Sequence, residues 1–147
     1  MEASRPQGRV NPSFLGKPTF KGVDHVVVAV RDFEAAVSRY ETIYGMSVTT
    51  RSEEGVMLMA FFRFADTYTV LVASTDGTGP IGAWIEARGE SVWIVAMKVD
   101  DITATVAALR AKGVKMIGDP GAGVPVTGRL FIDADETRGY LMQLIQR

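Results

Sequence analysis

The sequence predicts an α+β fold of two βαβββ modules, whose curved sheets form a cup with helices outside. Two observations carry this expectation. The first is a fold-scale repeat: "HVVVAVRDFEAAVSRYETIYGMSV" and "WIVAMKVDDITATVAALRAKGVKM" share one plan with little identity. Each runs strand, Asp cap, amphipathic helix, Gly, strand. The second is the spacing of short β-branched or aromatic runs between turn residues. One face of each sheet buries under its helix. Pairing the two remaining faces makes a cup, a usual place for a ligand.

The elements follow in order. Residues 1–19 are rich in Pro, Gly and polar side chains and read as an extended arm. The single domain spans 20–147, with module 1 at 20–75, a linker at 76–90 and module 2 at 91–147. "GVDHVVVAV" (22–30) is a Val-rich strand. Asp32 caps "FEAAVSRYETIYG", where Phe33, Ala36, Val37, Tyr40 and Ile43 or Tyr44 recur at helical spacing and Gly45 stops the helix. "MSVTTRS", "VMLMAFFRF" and "TYTVLVAST" are the next three strands. The linker "DGTGPIGAWIEARGE" holds a short helix from Pro80 to Arg88. "SVWIVAMKV" opens the second module, and Asp100 or Asp101 caps "ITATVAALRAKG". "VKMIG", "RLFIDAD" and "YLMQLIQ" are the remaining strands. The loop "DPGAGVPVTG" lacks the G-K-S/T ending of a phosphate loop and reads as a lid at the cup mouth.

Composition narrows the function. The chain has 147 residues, 47% apolar and 22% charged, with a net charge of −1. Lys and Arg are scattered, which argues against nucleic acid. There is no cysteine, so thiolate chemistry and Cys-bound metals are excluded. The N-terminus lacks the pattern of a secretory signal, and no apolar run approaches the ~18 residues of a membrane span. A cytoplasmic location is the default expectation.

Alternation gives a candidate cup lining of His25, Val27, Ala29, Leu58, Ala60, Phe62, Tyr68, Val70, Val72, Val92, Ile94, Ala96, Leu141, Gln143 and Ile145. On this parity Met57, Met59 and Phe61 face the helices. The lining suits a small hydrophobic ligand, neutral or weakly polar, held by a few directional hydrogen bonds. His25, the only histidine, has two readings: a core imidazole bonded to Gln143, or a general acid/base. Asp133 likewise is either a solvated strand end or a second acid/base inside the cup. Trp84 and Trp93 read as packing residues.

The "G-V-D-H-V" opening, the "V-D-D-I" before the second helix, "A-K-G-V" and the terminal "G-x-L-x-x-L" resemble the vicinal oxygen chelate superfamily. The likeness spans about residues 20 to 146, with the methylmalonyl-CoA epimerase-like branch nearest in look. The resemblance implies one divalent metal in the cup, with ligands falling on His25, Val70, Ile94 and Gln143, and an epimerase carboxylate falling on Leu58. Val70 and Ile94 offer no donor and Gln143 only a neutral amide, so no metal or other cofactor is expected. The expected function is a metal-independent isomerase, lyase or cyclase acting on an apolar carbonyl compound. His25, Gln143 and Asp133 would be catalytic, and Leu58, Phe62, Tyr68, Val70, Ile94 and Leu141 would bind substrate. A non-catalytic sequestration or resistance protein is the alternative, and a metal-dependent epimerase or glyoxalase a third reading. Dimers are common in the superfamily, so a homodimer is expected.

Overall fold

The computed structural model describes residues 18–147. The arm at 1–19 therefore lies outside the described residues except for its last two. Of these, Thr19 bonds to the Thr105 hydroxyl at 2.9 Å. Strand β1 (Phe20–Ala29) is followed by helix α1 (Phe33–Tyr44), then β2 (Thr50–Glu54), β3 (Met57–Arg63) and β4 (Tyr68–Ser74). Helix α2 (Gly79–Arg88) leads to β5 (Ser91–Val99), α3 (Ile102–Ala111), β6 (Met116–Ile117), β7 (Phe131–Ile132), α4 (Ala134–Thr137) and β8 (Leu141–Gln146).

The strands form one eight-stranded sheet in the order β2-β3-β4-β1-β5-β8-β7-β6. Each module is closed by a parallel pair, β1 with β4 and β5 with β8. The antiparallel pair β1–β5 joins the modules through the middle of the sheet. The repeat seen in the sequence is thus a repeat in space.

Local chemistry explains the helices. The Asp32 carboxylate accepts from the Ala35 N–H at 3.1 Å, and Asp101 does the same for Ala104 at 3.0 Å. Asp100 instead pairs with Lys21 at 3.2 Å. Gly45 ends α1 at φ +66°, a left-handed cap that suits glycine. Phe33 and Val37 are buried under the sheet. Tyr44, not the exposed Ile43, completes the apolar face of α1.

Helices α1 and α3 lie outside, each on its own apolar cluster. Helix α2 does not. Its Ile81 and Ile85 pack against Val27, Ala29, Val70, Val72 and Ile94, on the sheet face opposite α1. The linker helix thus fills part of the cup. The concave face is apolar along β1, β4 and β5, and leaving all of it in water would cost about 25 cal/mol per Å².

Three segments differ from the sequence expectation. Strand β2 begins at Thr50, because Met46 and Val48 turn into the α1 core. Strand β7 is only two residues long, because Asp133 caps the single turn of α4. The 118–130 loop is not a lid at the cup. Asp119 accepts from Arg110 Nε at 2.9 Å and Nη2 at 2.6 Å, the Val126 N–H donates to Thr103, and Val126 packs in the α3 cluster. The loop is strapped to the outer face.

Two outcomes follow. Ile81 is 3% exposed, so Ile81→Ala should cost about 2–5 kcal/mol in denaturant unfolding; a cost near zero would mean that α2 is not docked in the cup. The Arg110 hydrogen bonds, with help from the Gly121 N–H, hold the Asp119 carboxyl down to about 2 from its ordinary 3.8. A lowered folded-state value stabilises the fold above the ordinary carboxylate range, and that stabilisation is lost as pH falls from about 4 towards about 2. Asp119→Asn should lower the melting temperature at neutral pH and flatten its fall in this window.

Candidate functional site

The site begins with an irregularity in β1. Val23 pairs with Met97 and His25 with Ala96, so Asp24 is an extra residue with no partner on β5. Such a bulge re-aims the side chains beside it. Here it lets two consecutive residues meet: the His25 Nδ1–H donates to Asp24 Oδ2 at 2.7 Å. Both are buried. The other carboxylate oxygen accepts from Arg147 Nη1 at 3.0 Å. Arg147 follows β8, and its N–H bonds to the Val99 carbonyl. The Asp24 side chain is 6% exposed and that of Arg147 56%, so the pair runs from the interior to solvent. The Thr67 hydroxyl holds the Asp24 carbonyl at 2.9 Å.

Pairing with β4 supplies the next layer. His25 lies opposite Tyr68, and their rings stack at 4.5 Å and 12°. Tyr68 in turn lies opposite Arg63, whose guanidinium carbon sits 4.7 Å from the Tyr68 ring centre and 5.2 Å from that of Phe61. Burial raises the Tyr68 phenol above its ordinary value, and the Asp24 carboxylate adds to this; Arg147 and Arg63 oppose it. At neutral pH Tyr68 therefore keeps its proton and is a hydrogen-bond donor.

A carboxylate on Nδ1 fixes the tautomer with the proton on that nitrogen. It leaves Nε2, on the other side of the ring, to take or give a proton. Among the described residues Nε2 has no hydrogen-bond partner. An imidazole oriented by a carboxylate is a standard arrangement for acid–base work.

The structure sorts the residues expected at the site. Tyr68, His25, Ala96 and Gln143 form one row across β4, β1, β5 and β8. Ala96 stands between His25 and Gln143, so the expected His25–Gln143 hydrogen bond is replaced by His25–Asp24. The next row is Val70, Val27, Ile94 and Leu141. Val70 and Ile94 face the cup but are 4% and 8% exposed beneath α2. Leu141 and Trp93 face a cleft of about 460 Å³ between α2 and the β8–α4 end, with Trp84 on its wall.

Leu58 and Phe62 are corrections. They lie on the α1 face with Ala60, whereas Met57, Met59 and Phe61 pack on the cup side. The pairs Phe61–Val70 and Met59–Val72 set that register. The run "MLMAFF" is apolar on both faces, so alternation had no polar residue with which to mark one. Asp133 lines the Leu141–Trp93 cleft, where it serves as a helix cap. Its carboxylate accepts from the Asp135 N–H at 2.8 Å as the cap of α4, and it lies 3.8 Å from Lys115. It lies on no row with His25. Asp24, Arg63 and Arg147 were missed. The available signal was a carboxylate inside a Val-rich strand, directly before the only histidine.

The metal positions implied by the family resemblance can be tested on donor chemistry. A divalent ion needs several N, O or S donors. Val70 and Ile94 have none, which leaves His25 Nε2 and the neutral Gln143 amide, and no group of three or more His, Cys, Asp or Glu converges among the described residues. The residues do not fit a metal.

One curved eight-stranded sheet built from two βαβββ modules defines the fold class. Within it, the chain belongs to the Glyoxalase/Bleomycin resistance protein/Dioxygenase superfamily, whose sequence model matches residues 24–131. It is 29% identical to the mitochondrial methylmalonyl-CoA epimerase of Mus musculus, over 97% of this chain and 82% of that protein. It is 27% identical to the ethylmalonyl-CoA/methylmalonyl-CoA epimerase of Cereibacter sphaeroides, over 84% and 96%. Among solved structures, a variant of the Streptomyces coelicolor methylmalonyl-CoA epimerase in complex with 2-nitronate-propionyl-CoA superposes with a TM-score of 0.69 at 25% identity, covering 87% of this chain and 98% of that one. No described helix is long and apolar enough to cross a membrane.

The chain's single histidine makes the site directly readable. Long-range ¹H–¹⁵N correlation should show one imidazole with its proton on Nδ1. Asp24→Asn should shift the tautomer towards Nε2–H and cost about 1–3 kcal/mol for the weakened buried hydrogen bonds. An unchanged tautomer would show that Asp24 does not orient the ring.

Proposed function

We propose that the protein is a metal-independent isomerase or lyase acting on a small carbonyl compound, with His25 as its acid/base. The observation that carries this reading is the 2.7 Å bond from His25 Nδ1 to the buried Asp24 carboxylate, with Nε2 unpartnered among the described residues. Nε2 takes a proton from the carbon beside the carbonyl, and Asp24 stabilises the imidazolium that forms. The Tyr68 hydroxyl and the Gln143 amide are donors on the same row for the oxygen that gains charge. Return of the proton from the His25 imidazolium to another atom of the enolate system gives isomerisation; departure of a leaving group that takes this proton gives elimination. The relatives named as epimerases of CoA esters support a proton-transfer reaction beside a carbonyl. With the apolar row of the cup covered by α2, the cleft floored by Leu141 and Trp93 supplies the apolar surface that suits an apolar body on the ligand.

A sequestration role is the second reading, favoured by the same apolar cleft. Solvent exchange separates the two. Methylmalonyl-CoA and a panel of 2-oxo acids are incubated with the protein in D₂O, and deuterium at the carbon beside the carbonyl is followed. Catalysed exchange should survive chelator and fall by about 10²–10⁴-fold in His25→Ala. Exchange that chelator abolishes, or that His25→Ala retains in full, would overturn the proposal. Binding without any exchange would establish sequestration.

A further inference from the structure

We infer that the edge of the Arg63 guanidinium, stacked on Tyr68 beside His25, is a carboxylate-binding site, so that the ligand is an apolar acid. The inference rests on the reading of His25 as the reacting group, since it places the anion next to that ring. Three observations lead to it. First, Arg63 is exposed at the end of β3, yet it is held in place by two rings, at 4.7 Å from Tyr68 and 5.2 Å from Phe61. Stacking uses the face of the guanidinium and leaves its N–H edge for a planar anion. Second, no carboxylate among the described residues pairs with Arg63. The nearby Asp24 is already shared between His25 and Arg147. Among the described residues other cations also lack a carboxylate partner, Arg39 and Lys98 for example, but Arg63 alone is held over two rings. Third, Tyr68, which separates Arg63 from His25 along the strand order, retains its phenolic proton. A carboxylate at this point meets a charged fork and a neutral hydroxyl donor together.

The chemistry fits the neighbouring reaction. A carboxylate held on β3–β4 leaves the rest of a short substrate to lie across β1, where His25 stands, and towards Ala96 and Gln143. The anchor sets orientation, and orientation is where a rigid site gains most in rate. It also adds an anionic group to the neutral ligand that the apolar lining alone suggested, because that lining left out Arg63 and Arg147.

The test uses benzoate as the probe and the lone histidine as the reporter. In the full chain, benzoate should move the His25 ¹⁵N signals saturably, while benzamide, of the same shape without the charge, should not. Arg63→Gln should weaken the benzoate response by about tenfold or more, the loss expected for a charge-assisted hydrogen bond. Arg63→Lys should restore it only in part, because lysine lacks the planar fork. Both variants should stay folded with a modest fall in melting temperature, since an exposed stacking contact contributes little to stability. Inorganic phosphate is run alongside: a response to phosphate stronger than to benzoate would overturn the carboxylate assignment. Equal responses to benzoate and benzamide, no response, or an undiminished response in Arg63→Gln would overturn the site itself. Proton exchange that depends on His25 without any benzoate response would sink this inference alone. A benzoate response lost in Arg63→Gln, with exchange that ignores His25→Ala, would sink the catalytic reading and leave the anion site standing.

Discussion

The antiparallel contact between β1 and β5 is the constraint on which the molecule depends. It is the only direct strand pairing between the two modules among the described residues. It also sets which residues share a row across the cup. Of the three register shifts in that pairing, the one at Asp24 brings a carboxylate and an imidazole together. Burying a carboxylate is costly unless its oxygens are satisfied. Here both are, by His25 on one side and Arg147 on the other. Arg147 follows the last strand, so the charge balance at the start of the first module is completed by the end of the second. The site therefore needs both modules docked, not one module folded.

The cup is divided by the same logic. At the row of Val27, Val70 and Ile94 the face is wholly apolar, and α2 covers it with Ile81 and Ile85. One strand step away, at the row of His25, Tyr68 and Gln143, polar groups replace branched hydrocarbons. A helix could not bury that row without leaving polar atoms unpaired. The linker helix thus covers the apolar row, and polar chemistry is kept to the other. The apolar residues at the implied metal positions, Val70 and Ile94, belong to the covered row. Their side chains stabilise the packing of α2, which histidine or glutamate there would oppose.

Much of this was legible in the sequence. Asp32 and Asp101 as caps, Gly45 as a stop and the two-module plan all follow from local chemistry, which tertiary contacts did not override. His25, Tyr68 and Gln143 lie on the one face to which alternation assigned them, and strand register sets them on one row. Strand β3 carries no polar marker before Arg63, and its parity was read the wrong way round, which misplaced Leu58 and Phe62. The cap role of Asp133 was not legible, because a cap and an acid look alike until the Asp135 N–H is seen to bond to it. The Asp24 bulge was not legible at all. A bulge is a property of two strands in register, and neither strand alone reports it.

The donors on the His25 row bear on how a site without a fitting metal set would handle developing negative charge. The charge on an enolate oxygen has to be met by something placed before the reaction begins. On this row the candidates are Tyr68, kept protonated by its burial, and the Gln143 amide, with the Arg63 guanidinium beyond Tyr68. Tyr68 is fixed from both sides, by the His25 ring and by Arg63, so its hydroxyl is oriented by stacking. A donor held this way loses little freedom on binding. Gln143 has no such clamp; it is positioned only by its register with Ala96 and Phe131. The burden of orientation thus falls on the Arg63–Tyr68–His25 stack. That stack exists because three neighbouring strands present cationic and aromatic side chains at one level of the sheet.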